Sequence, residues 1–205
     1  MKNKEKKIAV LFVEKKSIYK SYEICDCYDK ERDALTFKGS EVVIAHPPCR
    51  QWGKLYKFAK VDTEEKALAV WAVNKVRLNG GVLEHPAYSK LWKHMNLPTG
   101  NSLDGWGGWT MSINQHWFGH RAEKKTFLYI CGISPDEVPD WKISFDAVTH
   151  TICSSKKRSG KKEVNKTERQ KTPVDMAWFL IQIAEKVRVK KKLKRTAFVM
   201  EFYFS

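Results

Sequence analysis

Cys49 stands behind two prolines in the stretch VVIAHPPCRQWG, directly after an apolar run. A cysteine attacks carbon only as its thiolate. Pro47 and Pro48 would hold its backbone, and the charge of Arg50 would favour the anion. The alternative is an inert thiol packed as a small hydrophobe. Glu84, in VLEHPA, ends a second apolar run with a carboxylate where a purely structural strand carries Val or Ala. Its alternative is a salt bridge at a helix cap. His46, Cys49, His85, His116 and His120 are zinc-ligand types that one sheet end could collect. The deaminase spacing Pro-Cys-x-x-Cys nevertheless fails at Trp52, and no His-x-Glu precedes it. Hydrogen-bonded histidines are the expectation, and no metal. Trp92, Trp106, Trp109 and Trp117, interleaved with glycines in DGWGGWT, suit either stacking on bases or core packing around a turn. Residues 105–108 lack the Lys and following helix of a phosphate loop.

The elements that must carry these groups follow from periodicity. Residues 8–13, 41–46 and 82–84 are short β-branched or apolar runs that read as buried strands. Between the second and third, Asp62 or Thr63 can cap a helix in which Leu68, Trp71, Ala72 and Val76 recur at helical spacing and Gly80 and Gly81 end it. Such a strand, helix, strand unit makes the two strands parallel and right-handed. Residues 46–50 and 84–86 then emerge on one sheet edge, where α/β proteins bind ligands. If those strands are neighbours, about 4.8 Å apart, a thiol and a carboxylate past their ends can reach one small ring. Residues 113–119 and 125–132 read as an antiparallel hairpin around a polar connection. Thr172, Pro173 and Asp175 open a later helix with Met176, Leu180, Ile183, Ala184 and Val187 on its apolar face. The tail TAFVMEFYFS reads as an added strand or a loosely packed end.

The expectation is one α/β domain with a mostly parallel, Rossmann-like sheet and a late antiparallel hairpin. Its core covers residues 1–150, a basic loop covers 151–173, and a helix and tail of the same domain cover 174–205. The 205 residues suit that size, and 8 Trp with 10 Phe provide a core that a disordered chain lacks. Five cysteines, an odd number, do not form the framework of a small secreted protein, so free thiols are expected. The early apolar run is too short for a membrane span or signal core, which points to the cytoplasm. The net charge is +15, and residues 1–7, 151–173 and 186–195 supply all of it. Segregated charge of this kind fits a polyanion such as nucleic acid, with Lys156, Lys157, Arg158, Lys161 and Lys162 as candidate contacts; a solvated lysine-rich surface is the alternative.

The ordered set of Pro-Pro-Cys after one strand, Glu-x-Pro after the next, and FGHRAEKKTFLYICG beyond resembles the DNA cytosine-5 methyltransferases. More narrowly it resembles small phage and prophage proteins related to them, with stretches like VYDxERDA, VVAHPPCRxWG, GGVLEHP and QHWxGHRAxKxTWLY. Here these are residues 27–34, 42–53, 80–86 and 115–129, within a match from 25 to 132. The resemblance implies a methyltransferase-like fold in the cytoplasm of a bacterial host, and DNA or nucleotide pyrimidines as partners. By it, Cys49 adds to C6 of the base, Glu84 hydrogen-bonds its N3 and amino edge, and Arg121 with Lys124 or Lys125 steadies base and backbone. His46, Pro48, Arg50, Trp52, His85 and His120 would line the same substrate site. S-adenosylmethionine is the implied cofactor, with Asp29 at the position of its ribose partner. The chain departs from that family after its first strand: EKKSIYKSYE replaces a glycine-rich turn, and no glycine precedes Gly39. The alternative function is a non-catalytic nucleotide or DNA binder that has lost the cofactor site.

Overall fold

The computed structural model describes residues 7–53, 60, 62–152 and 160–203, the last stretch as backbone only at 189 and from 192 onward. Six strands form one mixed sheet: β1 (Ile8–Leu11), β2 (Cys25–Tyr28), β3 (Val42–Ala45), β4 (Gly81–Pro86), β5 (Trp109–Asn114) and β6 (Lys125–Cys131). Their spatial order is β2-β1-β3-β4-β6-β5. The first four are parallel, and β6 runs antiparallel to both β4 and β5. This is the mostly parallel α/β sheet that the strand runs imply.

Helix α1 (Thr63–Asn79) makes the crossover from β3 to β4. Its start is capped by Asp62, whose side chain accepts from the Glu65 amide at 2.8 Å, and Gly80 ends it at a φ of 72°. Gly81 then enters β4 so close to β3 that a Cβ there would lie 1.9 Å from the Val43 carbonyl oxygen. That contact locks the register in which Ala45 pairs with Leu83, so the next residues, His46 and Glu84, come level at the carboxyl ends of adjacent strands. A short helix α2 (Lys90–His94) follows β4.

Alternation along the strands splits the core into two layers. Ala45 and Leu83 pack with Ala72, Val73 and Val76 of α1. Ile44 and Val82 pack with Met176, Leu180, Ile183, Ala184 and Val187 of α4 (Val174–Tyr203), the apolar face expected from the sequence. Each fully buried side chain of this kind contributes roughly 1.5–3 kcal/mol. Helix α4 thus covers this face of the sheet with its residues up to Val187. Its backbone continues helical through most of the apolar tail, which joins no sheet as an added strand.

The hairpin differs from its sequence reading. The outer strand is residues 109–114, and 115–118 form a 3-10 turn instead of continuing extended. The Asn114 side chain draws the chain round by accepting from the amides of His116 (3.2 Å) and Lys124 (3.0 Å), and Gly119 closes the turn at a φ of 87°. The basic stretch holds a small parallel ladder of β7 (His150–Thr151) and β8 (Lys162–Glu163), then α3 (Lys166–Gln170). No helix among the described residues is long and apolar enough to cross a membrane.

Candidate active site at the ends of β3 and β4

Glu84 points to the α4 face of the sheet, as Val82 does two residues earlier. One of its carboxylate oxygens lies 3.1 Å from His46 Nδ1, and the other accepts from Gln115 Nε2 at 2.9 Å. His46 Nε2 lies 3.1 Å from the hydroxyl of Tyr19, a wholly buried residue of the 3-10 turn between β1 and β2. Burial first, and the negative charge of Glu84 second, hold the Tyr19 hydroxyl well above its usual range. Tyr19 therefore donates to Nε2, and His46 Nδ1–H donates to Glu84, a tautomer assigned from the network.

Gln115 is 1% exposed and spends both amide hydrogens, on Glu84 and on Thr126 Oγ1 at 3.1 Å. Its carbonyl oxygen is buried without a hydrogen-bond partner. Burial alone would raise the pKa of Glu84. The His46 hydrogen bond and then the charge of Lys124 lead the interactions that outweigh it and bring the pKa down to about 2. The result is an ionised carboxylate with two bonds made and acceptor capacity left over, since a carboxylate offers about four lone-pair sites.

Cys49 lies on the loop past β3, and its carbonyl accepts from the amides of Trp52 (3.0 Å) and Gly53 (2.8 Å) in a tight turn. The residue is at the exposed rim, yet surrounding atoms desolvate its sulfur. This desolvation and then Glu84 push the thiol pKa up, and Lys124 opposes them. Glu84 and Lys124 are thus both within electrostatic reach of the thiol. The expected help from Arg50 is absent, because its guanidinium is ion-paired with Glu65 of α1. Cys49 rests as a thiol.

The other predicted residues divide. His85 is wholly buried on the opposite face beside Trp92, and among the described residues its ring nitrogens find no hydrogen-bond partner, although the Pro48 backbone lies near. Burial lowers its pKa to about 4, against the raising effects of Glu84 and Pro48, so it is neutral at pH 7. Trp52 is a buried structural residue whose indole donates to the Lys66 carbonyl at 3.1 Å. Lys124 is half-buried and Lys125 exposed. Arg121 is ion-paired with Glu168 of α3, with Nε at 2.8 Å, beside His120 in a shallow pocket at the start of α4. The structure thus gathers His46, Cys49, Glu84 and Lys124, and gives Arg50 and Arg121 to helix carboxylates. Lys161 and Lys162 are exposed; Lys156, Lys157 and Arg158 lie outside the described residues. Among the described residues no three His, Cys, Asp or Glu are grouped to hold a metal. Trp92 and Trp109 are core residues, their indoles donating to Thr110 and to the Ile133 carbonyl.

The residues at the ends of β1 and β2 do not fit S-adenosylmethionine. The turn after β1 is left-handed, at a φ of 61°, but Phe12 makes it, and its ring packs edge-on against Trp71 with centroids 6.0 Å apart. A side chain thus fills the space that a glycine would leave for a ligand. Asp29 already accepts from the amides of Glu31 (2.9 Å) and Arg32 (3.0 Å) and from Lys20. The Arg32 amide, then Lys20, lead the interactions that lower its pKa to about 2. No family model, curated protein or solved structure matches the chain.

Proposed function

We propose that the chain is a pyrimidine-binding protein related to the phage-type DNA cytosine-5 methyltransferase-like group, acting on DNA or nucleotides at the ends of β3 and β4. The observation that carries this reading is the ionised, almost enclosed carboxylate of Glu84, fixed by His46 and Gln115 within electrostatic reach of the Cys49 thiol. A pre-oriented carboxylate with unused acceptor sites suits a ring edge that offers an amino group and a protonated nitrogen. The reversed strand β6 beside the last parallel strand is compatible with the methyltransferase-like sheet that the motif resemblance implies.

In the catalytic form of the reading, Cys49 loses its proton to solvent base and its sulfur lone pair forms a bond to C6 of the ring. The C5–C6 π pair moves to C5, which takes a proton from water, while Glu84 holds the amino edge of the ring. A second reading, binding without covalent chemistry, is favoured by Phe12 and by the occupied Asp29, which leave no room for the implied methyl donor. Single-stranded DNA bearing 5-azacytosine, which keeps the amino group for Glu84 and whose C6 accepts thiolates readily, separates the two. The catalytic reading expects a mass increase on the Cys49 peptide that Cys49→Ser abolishes while binding persists. Binding with no adduct up to pH 9 leaves the binder alone, and absence of binding sinks both.

A further inference from the structure

Two residues past β4, Tyr88 adopts a φ of 62°, a left-handed conformation costly for any side chain but glycine. The turn is held on both sides: the Ala87 amide donates to the Lys125 carbonyl at 3.0 Å, and the Ser89 amide to the Pro86 carbonyl at 3.2 Å, with Ser89 buried. The strained backbone presents an aromatic ring that is 66% exposed. Beneath it the ring meets Phe127 at 5.3 Å, and Phe127 meets the buried Trp92 at 5.3 Å, so an aromatic tier rises from the core to the surface. Lys125 stands opposite Ala87 across the strand pair, and Lys90 and Lys93 follow on α2. Tyr88 lies four residues after Glu84, so their Cα atoms are at most about 14 Å apart; because the Tyr88 tier belongs to the α1 layer and Glu84 to the α4 face, a strand joining them would cross the carboxyl edge of the sheet.

We propose that Tyr88 is a stacking platform for the base next to the one bound at Glu84, with Lys125 beside the intervening phosphate, so that the ligand is a single-stranded oligonucleotide. This rests on the base-binding reading of Glu84 and extends it to a second nucleotide. Backbone strain held rigidly at a ligand edge is the pattern of a functional position, and an exposed ring between lysines matches a base between phosphates. Stacking tolerates any base, so this second position accepts any neighbour.

Calorimetry at low salt with dCMP and with a three-nucleotide single-stranded DNA carrying one central cytosine tests the assignment. The trinucleotide should bind more tightly than dCMP, and Tyr88→Ala should weaken it about tenfold while leaving dCMP within twofold. Tyr88→Phe should restore the trinucleotide affinity, which a role of the hydroxyl in folding would not. Equal affinities for both ligands, or a Tyr88→Ala effect that is absent or equal on both, overturns the platform. Glu84→Gln serves as the separate control. Trinucleotide binding that needs Tyr88 but ignores Glu84 would keep the platform and sink the base site, and absence of all binding would sink both.

Discussion

The carboxyl edge of the sheet holds two acidic residues in contrasting circumstances. Glu84, in the last half of β4, and Asp29, past β2, are both ionised and both held near a pKa of 2. Asp29 is held by the chain itself: two amides of its own turn and Lys20 take three of its roughly four acceptor sites, as in a self-contained structural turn. Glu84 is held from behind, by His46 and Gln115, in a buried setting where further lone pairs stay available. A depressed pKa alone therefore does not mark a ligand site. What marks one is a carboxylate whose partners position it without exhausting it.

The largest expected effect separates the two acids by substitution. Glu84→Gln should lower dCMP affinity about 10- to 150-fold, the worth of a charge-assisted hydrogen bond, and Asp29→Asn should leave it unchanged. Equal losses would erase the contrast. The same pair sharpens it through acid unfolding. A carboxylate whose folded pKa lies below its unfolded value adds stability that is fully present above about pH 5 and is lost as pH falls towards 2. Urea midpoints measured between pH 6 and 2.5 should show the slope fall in Glu84→Gln and in Asp29→Asn alike, which separates the shared depression from the ligand role that Glu84 alone has.

Next, S-adenosylmethionine should give no heat of binding at millimolar concentration, because Phe12 and Lys20 occupy its place. Micromolar binding abolished by Asp29→Ala would make the β1–β2 end a ligand site as well and reverse the comparison. The smallest effect is a shift in thiol reactivity. Alkylation of the Cys49 peptide, followed by mass spectrometry, should show a pH midpoint higher than that of the same peptide unfolded, since burial and then Glu84 raise it. Glu84→Gln should move that midpoint down and Lys124→Met should move it up. No movement with either would detach Cys49 from the carboxylate.

The β3–α1–β4 unit was legible because its signals are local: β-branched runs, a capping Asp62, and Gly80 with Gly81 at the end. The same reading brought His46 and Glu84 to one edge. Tyr19 and Gln115 were not legible, because both come from 3-10 turns too short to carry a period. The only hint of Gln115 is an amide directly after Asn114 in an otherwise apolar strand run. Phe12 and Tyr88 escape for the opposite reason: aromatic residues do not advertise left-handed turns, and only the surrounding packing imposes them. The partner of Arg121 lies 47 residues further along, on a helix whose docking no spacing rule specifies.

The placing of β6 between β4 and β5 orders events during synthesis. Strand β4 is made by residue 86, but its lateral partner spans residues 125–131, and β5, made earlier, can attach only after β6 has arrived. Until then a growing chain presents the open flank of β4, with Val82 and Leu83 ready to pair with any passing strand. A chain halted before residue 125 should therefore clump with its neighbours, whereas one released beyond residue 131 has its own strand to close the flank.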